Sequence, residues 1–249
     1  MPEFWTADYV LVAGIVALAA LVQGALGFAA GMVTMSLLPL VIPSRVAVPL
    51  VALCAVPITT IILYECRRSV RFRDVRLMIP SLLVAVPLGV YLLSELPDAA
   101  ARRVIGGLIV LTAAHMLFGR SAGRARVHPA WAVAAGAGTG ALGGAFNVGG
   151  APMLFYFLAH DWDKDRIKGN FALLGSVNIV ARLLLYRFDP IIEEPLLSNS
   201  ILLGCLPLIP VVVVATLLGS LVYSKLNQVL FRRLVLAVLI TLGVLLIFR

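Results

Sequence analysis

Runs of about twenty apolar residues with almost no charge constrain a fold severely, because a lipid bilayer is the usual place to bury them. This 249-residue chain has six, at residues 46–64, 75–93, 99–118, 167–186, 196–223 and 229–248. Hydrophobic residues make up 61% of it and charged ones 13%, about half the ~25% of a soluble domain. Those figures exclude disorder, a disulfide scaffold and a collagen-like chain. The expected class is an all-α polytopic membrane protein with the lipid bilayer as its surroundings.

Two further apolar stretches are irregular. Residues 9–42 are broken at Gln23-Gly24 and Gly27, with Gly31 and Pro39 beyond, and residues 129–159 by a glycine-rich segment over 136–152. A straight 34-residue helix would be roughly 50 Å long, against a hydrocarbon core of about 30 Å. The pieces 9–22 and 28–42 are each nearer ~20 Å, short for a crossing. Both stretches therefore read as broken, re-entrant helical hairpins.

Loop charge tests that idea. If each irregular stretch crosses once, Lys and Arg divide evenly, 10 to 9, between the two sides. If each is a hairpin, one side collects 14, including Arg67, Arg68, Arg71, Arg73, Arg76 and the 120–126 arginines. The other side keeps five: Arg45, Arg102, Arg103, Arg187 and Arg249. The positive-inside rule selects the hairpins and puts both termini on the non-cytoplasmic side. The first ten residues carry Glu3 and Asp8 but no Lys or Arg, so no cleavable signal peptide is expected.

The two halves also repeat. Gly24-Ala25-Leu26-Gly27 recurs as Gly140-Ala141-Leu142-Gly143, an offset of 116. Phe28, Gly31 and Met35 recur as Phe146, Gly149 and Met153, and Arg45-Val46 as Arg166-Ile167. At an offset of 130, Gly89, Ser94, Arg102, Arg103 and Phe118 recur as Gly219, Ser224, Arg232, Arg233 and Phe248. The division is a first repeat over 1–122 and a second over 123–249. Each holds one hairpin and three crossings, and the odd count inverts the second relative to the first. Inverted repeats with broken helices are the architecture of secondary transporters, whose sites lie near the midplane between the repeats.

Irregular backbone at membrane depth is tolerated only where protein or a polar cavity surrounds it. The turns at 24–31 and 143–150 are the candidates, since helices starting there would aim free amides and partial positive charge at one point. Tight helix crossing explains one such glycine turn well. Two matched turns flanked by Gln23 and Asn147 are better explained by a ligand. The site candidates are Gln23, Gly27, Phe28, Gly31, Asn147, Gly149 and Gly150, joined by Asn170, Asn178 and Arg182 on one face of a helix. Arg182 is open to two readings: a ligand to substrate, or a side chain reaching the outer interface one turn away.

Other chemistry is missing. No Asp or Glu lies deep in an apolar run, which argues against a cation site. His115, His128 and His160 are scattered, and Cys54, Cys66 and Cys205 read as small core residues, so no metal is expected. No nucleotide loop, nucleophile elbow or basic stripe with aromatics is present, so no cofactor, catalytic residue or nucleic-acid partner is expected.

The paired segments QGALGFAAGMVTMSLLPL (23–40) and GALGGAFNVGGAPMLFYFL (140–158), each followed by a basic residue and a polar-spotted helix, resemble the TauE/SafE family of sulfite exporters. The resemblance spans nearly the whole chain. It implies export of a small anionic substrate, sulfite or a related sulfur oxyanion or organosulfonate, across the bacterial inner membrane. The expected function is a secondary transporter moving that anion by alternating access, with an anion channel as the alternative. An intramembrane enzyme or a structural subunit fits the residues less well. Coupling ion and oligomeric state leave no mark on the sequence.

Overall fold

A computed structural model describes residues 7–27, 29–118, 128–160, 162–188, 196–223 and 228–248. Its described residues form helices and short connections, with no strand among them. The first half runs α1 (Ala7–Leu26), α2 (Ala30–Leu37), α3 (Ser44–Glu65), a short α4 (Phe72–Val75), α5 (Met78–Glu95) and α6 (Asp98–Phe118). The second runs α7 (Pro129–Phe146), α8 (Gly150–Leu158), α9 (Lys164–Phe188), α10 (Asn199–Cys205), α11 (Leu208–Tyr223) and α12 (Gln228–Phe248). Among the described residues four helices are long and apolar enough to cross a membrane, and the α10–α11 pair, bent by 46°, makes a fifth. Outward faces are apolar, with Val84 80% and Leu88 65% exposed. Such a surface calls for lipid and not water as its solvent.

The hairpins differ from the expected shape. α1 has 20 residues, about 30 Å, so it is a full-length arm and not a half-length one. Only the return arm is short: α2 has eight residues and ends in a 3-10 turn at Leu38–Leu40 around Pro39. In the second hairpin the glycine-rich stretch does not break the helix. α7 runs unbroken through Gly136, Gly138, Gly140, Gly143 and Gly144, and the turn is confined to 147–149. Asn147 closes α7 with a left-handed φ of 57°, and the Val148 amide donates to the Leu142 carbonyl at 3.3 Å. This is the wrapped end that glycine, and next asparagine, adopts most readily.

Those α7 glycines serve packing instead. A side-chain carbon at Gly136, Gly140 or Gly144 would meet the backbone carbonyls of Met78, Leu82 and Val86. Three glycines four residues apart thus lie against three carbonyls four apart, letting α7 and α5 approach backbone to backbone. α1 packs on α11 in the same way, Gly24 against the Thr216 carbonyl and Gly219 against that of Leu21. α3 packs on α9, and α6 on α12 where Gly106 meets the Gly243 carbonyl.

The element boundaries correct the register of the first repeat segment. α1 ends at Leu26 and α7 at Phe146, α2 starts at Ala30 and α8 at Gly150, and α3 starts at Ser44 and α9 at Lys164. Every pair is 120 residues apart, where the Gly-Ala-Leu-Gly match implies 116. Gly24 and Gly144 confirm the longer offset: each faces a carbonyl on its partner helix and the glycine three residues on, Thr216 and Gly219 or Val86 and Gly89. For the later helices the offset is 130, as α6 begins at Asp98 and α12 at Gln228.

Candidate functional site

Between the two hairpin turns lies a cavity of about 100 Å³, walled by α1, α2, α3, α7, α8 and α9. Both turns contribute, Ala29 to Gly31 from one and Asn147 to Gly150 from the other. They touch directly, because a side chain at Gly31 would run into the Asn147 carbonyl.

Of the ten residues the sequence singles out, seven line this cavity: Gln23, Gly31, Asn147, Gly149, Gly150, Asn178 and Arg182. The Gln23 Oε1 accepts from the Ala30 amide at 2.7 Å and so caps α2. That consumes one of the amides a helix N-terminus leaves free. Asn147 Nδ2 donates to the Val48 carbonyl at 2.9 Å, tying the second turn to α3. Gly149 packs on its own hairpin, since an added carbon would lie 2.5 Å from the Thr139 carbonyl and 2.9 Å from the Gly143 Cα. Gly150 instead faces the Phe171 ring.

Two candidates sit elsewhere. Gly27 has a φ of 79° and lies under the Lys168 stem, where an added side-chain carbon would come 2.8 Å from the lysine Cγ, so it shapes the turn without lining the cavity. Asn170 is fully buried near the start of α9, where its Oδ1 accepts from the Arg71 amide at 2.9 Å and its Nδ2 donates to Asp74 at 3.0 Å. Arg166 closes the same network with two 2.7 Å hydrogen bonds to the Asp74 carboxylate. Burial alone would raise the Asp74 pKa, but Arg166 and Asn170, with the charge of Arg71, hold it below the ordinary value. Phe28 lies outside the described residues.

Arg182 lies at the centre of the cavity's polar chemistry. It is 5% exposed, its side chain enclosed by protein. Its Nη1 donates to the Gly143 carbonyl at 2.8 Å, while its Nε has no hydrogen-bond partner among the described residues. No carboxylate lines the cavity, so this guanidinium is the one charge in its described wall. Asn178, one turn earlier on α9, donates to the Thr139 carbonyl at 3.2 Å. Thr139 is a cavity residue that sequence reasoning passes over, fully buried with an unpaired hydroxyl. The signal for it was its place as the lone hydroxyl in α7, four residues before Gly143. A largely apolar wall with a few neutral polar groups around one buried cation is suited to an anion.

Compared with known protein families, residues 12–246 match the family model described as sulfite exporter TauE/SafE. The chain belongs to the TauE/SafE family. The match takes in both hairpins and all but the extreme ends of the outer helices. A search of curated proteins finds no match, and a search of solved structures finds none either. As a TauE/SafE member with apolar helices of membrane length, this is a multi-pass membrane protein of the exporter type.

Proposed function

We propose that this TauE/SafE protein is a secondary transporter of a small sulfur oxyanion, sulfite or a close relative, bound between the two broken helices and moved by alternating access. The observation that carries the reading is Arg182, buried with no carboxylate partner and an unpaired Nε among the described residues, at a cavity shared by both hairpins. A buried guanidinium is costly until something neutralises it. The N-terminal residues of α2 and α8 line the same cavity and add partial positive charge. The cavity, about 100 Å³, is well above the ~10–15 Å³ that one water needs and leaves room for a small ion.

In this proposal the chain comprises two repeats, 1–122 and 123–249, inverted across a bacterial inner membrane, with both termini on the non-cytoplasmic side. Packing of each hairpin on a helix of the opposite half supports that arrangement. The substrate sits at the interface between the repeats, where transporters of this architecture bind theirs.

Liposome flux of labelled sulfite tests the reading. Arg182→Gln keeps the size and a donor but removes the charge, and it should lower anion affinity by about 2–5 kcal/mol, the scale of unpairing a buried charge. Wild-type flux from a folded Arg182→Gln protein would refute the assignment.

A further inference from the structure

Five buried side-chain atoms of the described residues lack a hydrogen-bond partner. Three of them, Thr139 Oγ1, Asn147 Oδ1 and Arg182 Nε, belong to residues lining the cavity between the turns. Orphaned polar atoms on residues that line one cavity describe the complement a ligand drawn in against them would supply. Arg182 Nε can only donate. Thr139 can donate or accept. Asn147 Oδ1 can only accept, and its orientation is fixed: exchanging its nitrogen and oxygen would set a carbonyl against the Val48 carbonyl that Nδ2 now contacts at 2.9 Å. Gln23 is held the opposite way, with its Oε1 on the Ala30 amide, so its NH₂ is the end left for a ligand. Two residues lining one cavity are thus a carboxamide with its donor end free and a carboxamide with its acceptor free.

We infer that the species recognised is a monoanion carrying its own hydroxyl, the singly protonated form of the oxyanion and not the dianion; this rests on the transport reading above. Its bare oxygens accept from Arg182 and Gln23, and its hydroxyl donates to Asn147 Oδ1. One negative charge matches the single guanidinium in the described wall. A dianion would leave one charge without a counter-ion in a largely apolar site and press an acceptor oxygen on Asn147. A sulfonate monoanion without a hydroxyl would satisfy the charge and still oppose Asn147 with an acceptor. Asn147 is thus a specificity determinant that reads protonation and not charge.

Three ligands separate the two properties: hydrogen sulfite has one charge and a hydroxyl, methanesulfonate one charge and none, sulfate two charges and none. The experiment is tracer sulfite flux into proteoliposomes of the full chain, at one pH below the second ionisation of sulfite, with each of the others as competitor. In the wild type, neither methanesulfonate nor sulfate should compete well. Asn147→Gly removes the acceptor while suiting the left-handed φ of 57°. It should narrow the preference for hydrogen sulfite over methanesulfonate by roughly tenfold, the scale of one hydrogen bond to an ion. Competition by methanesulfonate or sulfate equal to that of unlabelled sulfite in the wild type overturns the inference while leaving anion transport standing. So does an unchanged preference in a folded Asn147→Gly protein. Should that variant not fold, the wild-type competition decides alone. Absence of sulfite flux in the wild type overturns the transport reading itself.

Discussion

Two adjacent glycines illustrate how differently neighbours at one turn are used. Gly149 sits 2.5 Å from a backbone carbonyl at the position its Cβ would take, whereas Gly150 would meet the tip of the Phe171 ring at 2.8 Å. Backbone inside a packed hairpin has nowhere to go, but an aromatic ring can turn. Gly149→Ala is therefore expected to destabilise the protein by about 1–3 kcal/mol, the range for overpacking, and Gly150→Ala by well under that. Thermal unfolding of the two variants in detergent checks the order, and equal midpoints would show that the hairpin is looser than its geometry. Arg182 and Asn170 teach a related lesson. A spacing of twelve turns Arg182 about 120° around α9 from Asn170 and sets it about 18 Å further along the axis. The eight-and-four spacing through Asn178 hides that drift, and so one joins the cavity and the other the Asp74 network.

At the scale of elements, α4 is joined to α9 by that network, and its protonation sets a pH dependence. Asp74 has a folded pKa below its ordinary value of 3.8. Its contribution is therefore full above that value and is lost as pH falls through the lower, folded pKa. Asp74→Asn should cost about 1–3 kcal/mol at neutral pH, the scale of hydrogen bonds to a charged group, and the difference from wild type should vanish in strong acid. Unfolding midpoints of both proteins across the acid range measure this, and a difference that persists unchanged at low pH would contradict the ion-pair account. The helices themselves were readable from apolar runs. Their register was not. The repeated Gly-Ala-Leu-Gly tetrapeptide suggests an offset of 116, one turn short of the 120 that the helix boundaries share. The contact with α5 or α11 demands a glycine wherever a facing carbonyl falls, and α7 has several within one turn of each other. Sequence identity picks the wrong member of that set, and only the partner helix picks the right one.

For the whole molecule, the offset of 120 also exposes where the halves have diverged. α9 carries Asn178 and Arg182, and the matching positions of α3 are Ile58 and Ile62. On the proposed repeat, the cavity therefore has a matched frame with its charge on one side only. A transporter needs the frame to present the site alternately to both faces, but it needs just one cation to neutralise one anion. That argument depends on the two halves being inverted, and orientation is the testable part. Arg68 lies between α3 and α5, on the side that gathers the arginines, and Glu95 lies at the far end of α5. Both are exposed, whereas Cys54, Cys66 and Cys205 are buried and can be replaced to give a clean background. An impermeant thiol reagent added outside intact cells should label Glu95→Cys and leave Arg68→Cys untouched until the membrane is opened. The reverse pattern would invert the topology, and labelling of both from outside would remove the crossing between them and the inverted-repeat frame with it.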